Sequence, residues 1–340
     1  MPVVIATDNR PQKTDNSPRP AAGRSCPPHY GYSPRVLAQP AQLDAEVVYV
    51  IGGLYGNLQA LDAIDAMARA ERRPPVRVFN GDFHWFDADA AWFAEVQRRV
   101  TAHVALRGNV ETELAYDDDT AGCGCAYPES VPDDDVERSN RILARLRRVA
   151  RAQPCAVDRL AALPMHLVAA VGGLRIGLVH GDAWSLAGWR FAHDALHAPE
   201  SADALERAFA LAAVDGFACS HTCAPALAAT GSGFVINNGA AGMANFAGGR
   251  FGVATRIAAQ PLPAALDAAR LYGLYERGVW IDALRVDFDH AAFVARFDAV
   301  WPDGSEAAVS YRRRITYGPA YSIDHALGRV AASCAALAEH

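Results

Sequence analysis

The sequence alternates short apolar runs with segments of helical periodicity, and this alternation constrains the fold more than any other feature. Residues 46–51 are almost entirely apolar, which is typical of a strand buried on both faces. Apolar residues recur at helical spacing in residues 58–72. Strands are predicted next at 76–79 and 103–106, with a helix at 89–100 between them. This order predicts an α/β protein whose sheet is covered on its faces.

Further apolar runs predict six more strands and two helices, namely strands at 166–171, 174–179, 216–219, 234–237, 251–257 and 279–286, and helices at 290–301 and 322–337. The segment 117–165 interrupts the strands with acidic runs, a Cys-Gly-Cys loop and a long arginine-rich helix, and we interpret it as a helical insertion. The chain is therefore divided into an extended N-terminal arm (1–43), an α/β domain (44–260) and a C-terminal α/β extension (261–340).

Composition excludes several classes of function. Half of the 340 residues are hydrophobic (51%), and the formal net charge of −6 comes without a basic block typical of nucleic-acid binding. Lys13 is the only lysine, so the folded body has no P-loop or Schiff-base lysine. No apolar run reaches the ~18 residues of a membrane span. An odd set of seven cysteines and a start unlike a signal peptide predict a reduced, cytoplasmic protein.

Four predicted strands end beside a side chain that binds metal ions. The motifs are Gly81-Asp82, Gly108-Asn109, His180-Gly181 and Ser220-His221. Because the carboxyl ends of parallel strands meet at one edge of a sheet, we expect these side chains to converge. One carboxylate, one amide oxygen and two imidazoles suit Mn²⁺, Fe²⁺, Zn²⁺ or Ni²⁺. The sequence therefore predicts a site for one divalent transition-metal ion.

The order of these motifs resembles the calcineurin-like metallophosphoesterases over roughly residues 46–260. The run 235–239 is similar to the strand and turn that follow the last ligand in that family. No histidine follows Asn109, which is closest to the compact bacterial phosphodiesterase-like branch. The resemblance implies a four-layer βαβ sandwich of two mixed sheets. It also implies a two-metal centre that hydrolyses phosphoesters with metal-activated water.

Two motifs depart from the family pattern. Where members carry Asp-x-His after the first strand, this chain has Gly53 and Tyr55. Cys223 stands in place of the last histidine of the Gly-His-x-His motif. The resemblance therefore implies that one ion keeps its four ligands, whereas Tyr55 and Cys223 replace imidazoles at the second.

Three interpretations of this altered centre stay open. In the first, Tyr55 and Cys223 bind a second ion as phenolate and thiolate. In the second, a single ion activates water, and His84 or Glu111 serves as acid or base. In the third, the chain is a catalytically inactive scaffold that binds a partner or nucleotide in the same crevice.

Other side chains extend the prediction to the substrate, which we expect to be a small phosphorylated molecule. Arg107 and Arg190 are candidate phosphate ligands, because guanidinium binds phosphate through paired hydrogen bonds. Trp184 and Trp189 either line the crevice or seat the following helix on the sheet. The basic run 311–314 is expected at a solvated surface. The oligomeric state stays open.

Overall fold

A computed structural model describes residues 22–116 and 121–330 of the chain. Its strands are β1 (Leu43–Asp44), β2 (Val47–Ile51), β3 (Val76–Asn80), β4 (Val104–Leu106), β5 (His166–Val171), β6 (Leu174–Val179), β7 (Gly216–Cys219), β8 (Ala226–Ala229), β9 (Phe234–Asn237), β10 (Gly252–Ala258), β11 (Arg270–Glu276) and β12 (Val279–Val286). Its α-helices are α1 (Leu58–Ala70), α2 (Ala90–Val100), α3 (Asn109–Ala115), α4 (Asp133–Ala152), α5 (Ala156–Ala161), α6 (His193–His197), α7 (Ala202–Ala212), α8 (His290–Val300), α9 (Glu306–Tyr317) and α10 (Ile323–Ala326).

The strands form two six-stranded mixed sheets. The first has the order β11-β12-β10-β2-β3-β4, and β2, β3 and β4 are parallel to one another. The second has the order β1-β5-β6-β7-β9-β8, in which β6, β7 and β9 are parallel. Each sheet therefore brings the carboxyl ends of three parallel strands to one edge.

The two-residue period of β2 explains how the layers pack. Val48 and Val50 belong to the core between the two sheets, whereas Tyr49 and Ile51 belong to the core beneath the helices of the first sheet. Helices α1, α2, α4, α8 and α9 contribute to that helical core, and α6 and α7 pack on the other face of the second sheet. The result is four layers, helix-sheet-sheet-helix, which confirms the predicted fold class.

Helices begin close to the strand ends, and this keeps the loops at the site edge short. Asn57, six residues after the end of β2, caps α1, and its side chain accepts a hydrogen bond from Ala60 N (2.9 Å). Asp89 caps α2 in the same way, accepting from Trp92 N at 3.0 Å. Each loop from a strand to the next helix is therefore fixed by the strand at one end and by the helix cap at the other.

Two parts of the structure differ from the sequence-based expectation. The predicted helix 322–337 is helical only in α10, because Gly328 adopts a left-handed conformation (φ 65°) that ends it, and residues 331–337 lie outside the described residues. Strands β8 and β11 and helices α7 and α9 were not expected. The acidic residues 117–119 also lie outside the described part of the chain.

The predicted division into arm, domain and extension stays a prediction, although the contacts of its parts are clear. Tyr30 and Leu37 of the arm are buried, and β1 pairs with β5. Strand β12 pairs with β10 in the first sheet. Within residues 22–116 and 121–330, no helix combines the length and apolar character needed to cross a membrane.

Candidate metal centre

Four side chains converge where strands of both sheets end. Asp82 follows β3, and Asn109 is the first residue of α3, directly after β4. His180 and His221 follow β6 and β7. The Nε2 atom of His180 lies 3.3 Å from Asp82 Oδ2, 3.2 Å from Asn109 Oδ1 and 3.2 Å from His221 Nδ1. The structure thus brings together the four predicted metal ligands.

Backbone carbonyls orient three of these side chains from behind. His180 donates its Nδ1–H to Asn80 O (2.8 Å), and His221 donates its Nε2–H to Cys125 O (3.1 Å). Asn109 donates from Nδ2 to Cys123 O at 3.0 Å. Since each donor points outwards, the atoms that carry free electron pairs face one another at the centre.

This arrangement fits a cation. Three electron-pair donors lie within 3.3 Å of His180 Nε2, and such atoms repel one another unless a proton or a metal ion lies among them. The Asp82, His180 and His221 ligand atoms lie within 4.8 Å of one another, and all three residues are buried. A carboxylate, an amide oxygen and two imidazoles match the ligands of divalent transition metals.

The pKa shifts of these groups reflect their mutual contacts. Burial alone would lower the pKa of His180, but the charge and hydrogen bond of Asp82 outweigh it and the pKa of His180 is raised. Burial, followed by the neighbouring His180, lowers the pKa of His221 to about 3, so this imidazole is neutral at pH 7. Burial alone would raise the pKa of Asp82, but the charge and hydrogen bond of His180 outweigh it and the pKa of Asp82 is lowered. Asp82 therefore offers a carboxylate and His221 an unprotonated nitrogen.

Gly81 permits the close packing around the centre. Its φ is 80°, and a Cβ placed there would lie 2.5 Å from His180 Nδ1 and 2.6 Å from Gly108 N. Asp82 also adopts a left-handed backbone conformation (φ 52°). The turn after β3 thus needs glycine before the carboxylate for steric reasons.

Glu111, a predicted acid or base, is not placed for that role. Its carboxylate is fully buried and accepts hydrogen bonds from four backbone amides, those of Asp82 (2.8 Å), Phe83 (3.0 Å), His84 (3.2 Å) and Gly108 (2.9 Å). Burial, followed by the charge of Asp82, raises the pKa of Glu111. With both oxygens occupied by amides, this side chain fixes the loops that carry Asp82 and Asn109.

His84, the other predicted acid or base, also points away from the centre. Its Nδ1 lies 2.5 Å from Asp87 Oδ2 and its Nε2 lies 2.9 Å from Gln97 Oε1. The ring is fully buried and stacks on Phe93, with the ring centroids 3.8 Å apart. Because both nitrogens are engaged inside the helical core, the geometry corrects the catalytic interpretation to one of packing.

Tyr55 and Cys223 lie beside the centre and contact each other. The Tyr55 hydroxyl is 2.6 Å from the Cys223 sulfur, and both residues have left-handed backbone conformations, with φ 53° and 57°. Burial is the largest cause that raises the pKa of each group, so both are neutral at pH 7. The two therefore form a hydrogen-bonded pair on the wall of the pocket that contains Asp82.

The two predicted phosphate ligands lie elsewhere. Arg107 donates to Ala161 O (3.1 Å) and Tyr116 Oη (3.3 Å), and Arg190 is exposed, with its guanidinium 4.7 Å from the centre of the Trp184 ring. Neither lines the pocket at the metal centre. The structure therefore does not bring either guanidinium group to the pocket, and their role as phosphate ligands stays a prediction.

The pocket at the metal centre is lined by Trp189, which the sequence offered as a candidate. It is also lined by four side chains that the sequence did not single out, namely Trp85, Tyr127, Tyr311 and Arg314. Tyr311 and Arg314 belong to the run expected at a solvated surface, yet both are buried, because α9 turns this face towards the pocket. Tyr311 and Arg314 are three residues apart and therefore lie on one face of a helix. This spacing is the only sequence pattern that indicates their shared position at the pocket.

Comparison with known proteins gives structural matches only. No family model and no curated protein matches the sequence. Among solved structures, the chain is similar to the hypothetical protein PH1004 from Pyrococcus horikoshii OT3, with 16% identity, a TM-score of 0.51, and 81% of this chain and 99% of that chain covered. It is also similar to a metallophosphoesterase from Sphaerobacter thermophilus, with 15% identity, a TM-score of 0.50, and 80% and 99% covered.

At this level of identity, the likeness establishes the fold. The chain has the metallophosphoesterase fold, as the resemblance in its strand-end motifs implies. Its candidate metal-binding group, Asp82, His180 and His221, lies at the strand ends of both sheets.

Proposed function

We propose that the protein is a metal-dependent phosphoester hydrolase, with a phosphodiester as the first candidate among small phosphorylated substrates. The observation that carries this proposal is the inward convergence of Asp82, Asn109, His180 and His221, with both imidazoles oriented by backbone carbonyls. A divalent ion held there would supply a Lewis acid for the phosphoryl group and lower the pKa of the attacking water. We propose Mn²⁺, Fe²⁺, Zn²⁺ or Ni²⁺ as that ion, and a cytoplasmic location.

The contact between Tyr55 and Cys223 supports a single ion rather than two. A hydroxyl and a thiol that satisfy each other at 2.6 Å would have to separate and lose their protons to bind a second cation. The chain's own groups then hold one ion, orient its ligands and enclose it. Trp189 lines the same pocket and meets the His221 ring edge to face, with the ring centroids 5.4 Å apart.

Metal analysis and turnover together test this proposal. Purified protein should contain about one transition-metal ion per chain and hydrolyse bis(p-nitrophenyl) phosphate. Asp82→Ala and His221→Ala should lose both metal and turnover, because each removes a ligand from a buried centre. His103→Asn is the matched control, since His103 precedes β4, at the opposite end of that strand from Asn109.

Two outcomes would contradict the proposal. Full metal occupancy in either ligand variant would show that the ion binds elsewhere. Protein without any transition metal or turnover would favour the alternative of an inactive scaffold with the same fold.

A further inference from the structure

Arg314 reaches the metal-centre pocket from a distant part of the chain. It lies on α9, its residue is only 4% exposed, and it lines the same pocket as Asp82 and His221. Its Nε donates to Ala244 O (3.2 Å) and its Nη2 donates to Cys223 O (2.5 Å). Nη1 takes part in neither bond. Two carbonyls thus hold the guanidinium in a fixed orientation.

Among the described residues, no carboxylate pairs with Arg314, whereas Arg312 of the same helix pairs with Asp298 at 2.6 Å. A buried cation without an anionic partner is costly, and an anionic ligand removes that cost. Guanidinium groups suit phosphate in particular, because their planar donors match its oxygens.

The position of Arg314 adds to this argument. Cys223 accepts a hydrogen bond from Arg314 through its carbonyl and contacts the Tyr55 hydroxyl through its sulfur. The guanidinium therefore lies next to the pair that replaces the ligands of a second ion. A fixed positive charge at this point can attract the oxygens of a phosphoryl group in the absence of that ion.

Aromatic rings form much of the remaining wall. Trp85 and Tyr311 meet edge to face with ring centroids 6.2 Å apart, and Tyr127 and Trp189 lie 6.2 Å apart. All four residues line the pocket, and they come from four separate segments of the chain. Rings arranged in this way bind flat apolar groups through stacking and edge contacts.

We propose that Arg314 is a substrate-binding residue for the phosphoryl group and that the four rings hold a flat aromatic substituent of the same substrate. The substrate is then a phosphoester that carries an aromatic ring. This inference rests on the proposed function for the reaction, but ligand binding by Arg314 and the rings can be measured without turnover.

Calorimetric titration with phenylphosphonate and methylphosphonate tests the proposal, using protein with and without added Mn²⁺. Wild-type protein should bind phenylphosphonate more tightly than methylphosphonate. Arg314→Lys should weaken phenylphosphonate binding by about tenfold or more, because it removes paired hydrogen bonds to a charged group. Arg312→Lys, the same change on the same helix, should leave binding unchanged. Tyr127→Leu should reduce the preference for the phenyl compound.

Thermal melting and Mn²⁺ content accompany each titration. If Arg314→Lys unfolds, Arg314→Gln, which keeps an amide donor, replaces it with the same expectation. Unchanged phenylphosphonate binding in a folded Arg314 variant would overturn the role of Arg314, and equal binding of the two phosphonates by wild type would overturn the aromatic site. If the protein bound phenylphosphonate in an Arg314-dependent way but held no metal and showed no turnover, this inference would be supported and the proposed hydrolase contradicted.

Discussion

At the scale of single residues, the same side-chain types have very different tasks around this centre. Asp82 and Glu111 are both buried carboxylates, but Asp82 faces the imidazoles of His180 and His221 and Glu111 faces four amides. His180 offers a nitrogen to the centre, whereas both nitrogens of His84 are engaged in the helical core. Hydrogen-bond partners, rather than residue type, therefore separate ligands from structural groups.

Glu111→Gln tests the structural role of that carboxylate. The amide nitrogen of glutamine would face backbone N–H groups that now donate to an oxygen, so unfolding free energy should fall by about 1–3 kcal/mol. Metal affinity should fall as well, because the Asp82 turn loses its anchor. Urea unfolding and metal analysis measure these effects, with the exposed Glu137→Gln as control. Unchanged stability with lost turnover would instead indicate a catalytic Glu111.

At the scale of elements, a buried ion pair joins α1 to the first sheet. Arg256 of β10 donates from Nε to Glu71 Oε1 at 2.6 Å, just beyond the end of α1, and both side chains are about 2% exposed or less. The Tyr49 hydroxyl of β2 donates to the same oxygen at 2.8 Å. Asp282 of β12 lies 3.6 Å from Arg256 Nη1. These four side chains thus connect three strands to the end of α1.

Glu71→Ala should destabilise the protein strongly. Without Glu71, the buried Arg256 keeps, among the described residues, only the more distant Asp282 as an anionic partner. Removing one partner of a buried ion pair costs about 3–5 kcal/mol. Asp287→Ala removes the exposed partner of Arg285 and should change the unfolding free energy by less than about 0.5 kcal/mol. Urea unfolding of both variants makes the comparison. If Glu71→Ala lowered the unfolding free energy by no more than Asp287→Ala does, the result would mean that water solvates Arg256 in the variant.

At the scale of the whole molecule, the candidate centre connects the two sheets. Asp82 and Asn109 come from strand ends of the first sheet, and His180 and His221 from strand ends of the second. A cation bound by all four would therefore link the two halves of the sandwich. Binding to the native state alone would stabilise the entire fold.

Mn²⁺ should therefore raise the free energy of global unfolding. At a free concentration of about 100 times Kd, the stabilisation is about 2.7 kcal/mol, since the unfolded chain has no assembled site. Urea unfolding with and without Mn²⁺ measures it. Asp82→Asn should lose the effect and His103→Asn should keep it. Equal stabilisation of the Asp82 variant would place the ion outside this centre.

Helices and strands could be predicted from the sequence where the pattern of neighbouring apolar residues alone indicates them. Strand β2 is apolar on both faces and α1 repeats its apolar residues at helical spacing, so both follow from the pattern of neighbouring residues. Strand β11 and helix α9 escaped prediction, since their apolar residues are interrupted by polar and charged ones. In α9, packing against α4 and α8 decides which side is buried.

The strand-end motifs of the sequence indicate the α/β class and the four candidate ligands, because a residue that follows a parallel strand lies at the carboxyl edge of its sheet. The packing of the two sheets then brings the two edges together and fixes the rest of the site. Arg314 and Cys223 are 91 residues apart, and Tyr127 comes from the predicted insertion. The roles of His84 and Glu111 likewise depend on which groups face them. Such contacts follow from the packing of whole layers, which no local pattern of residues specifies.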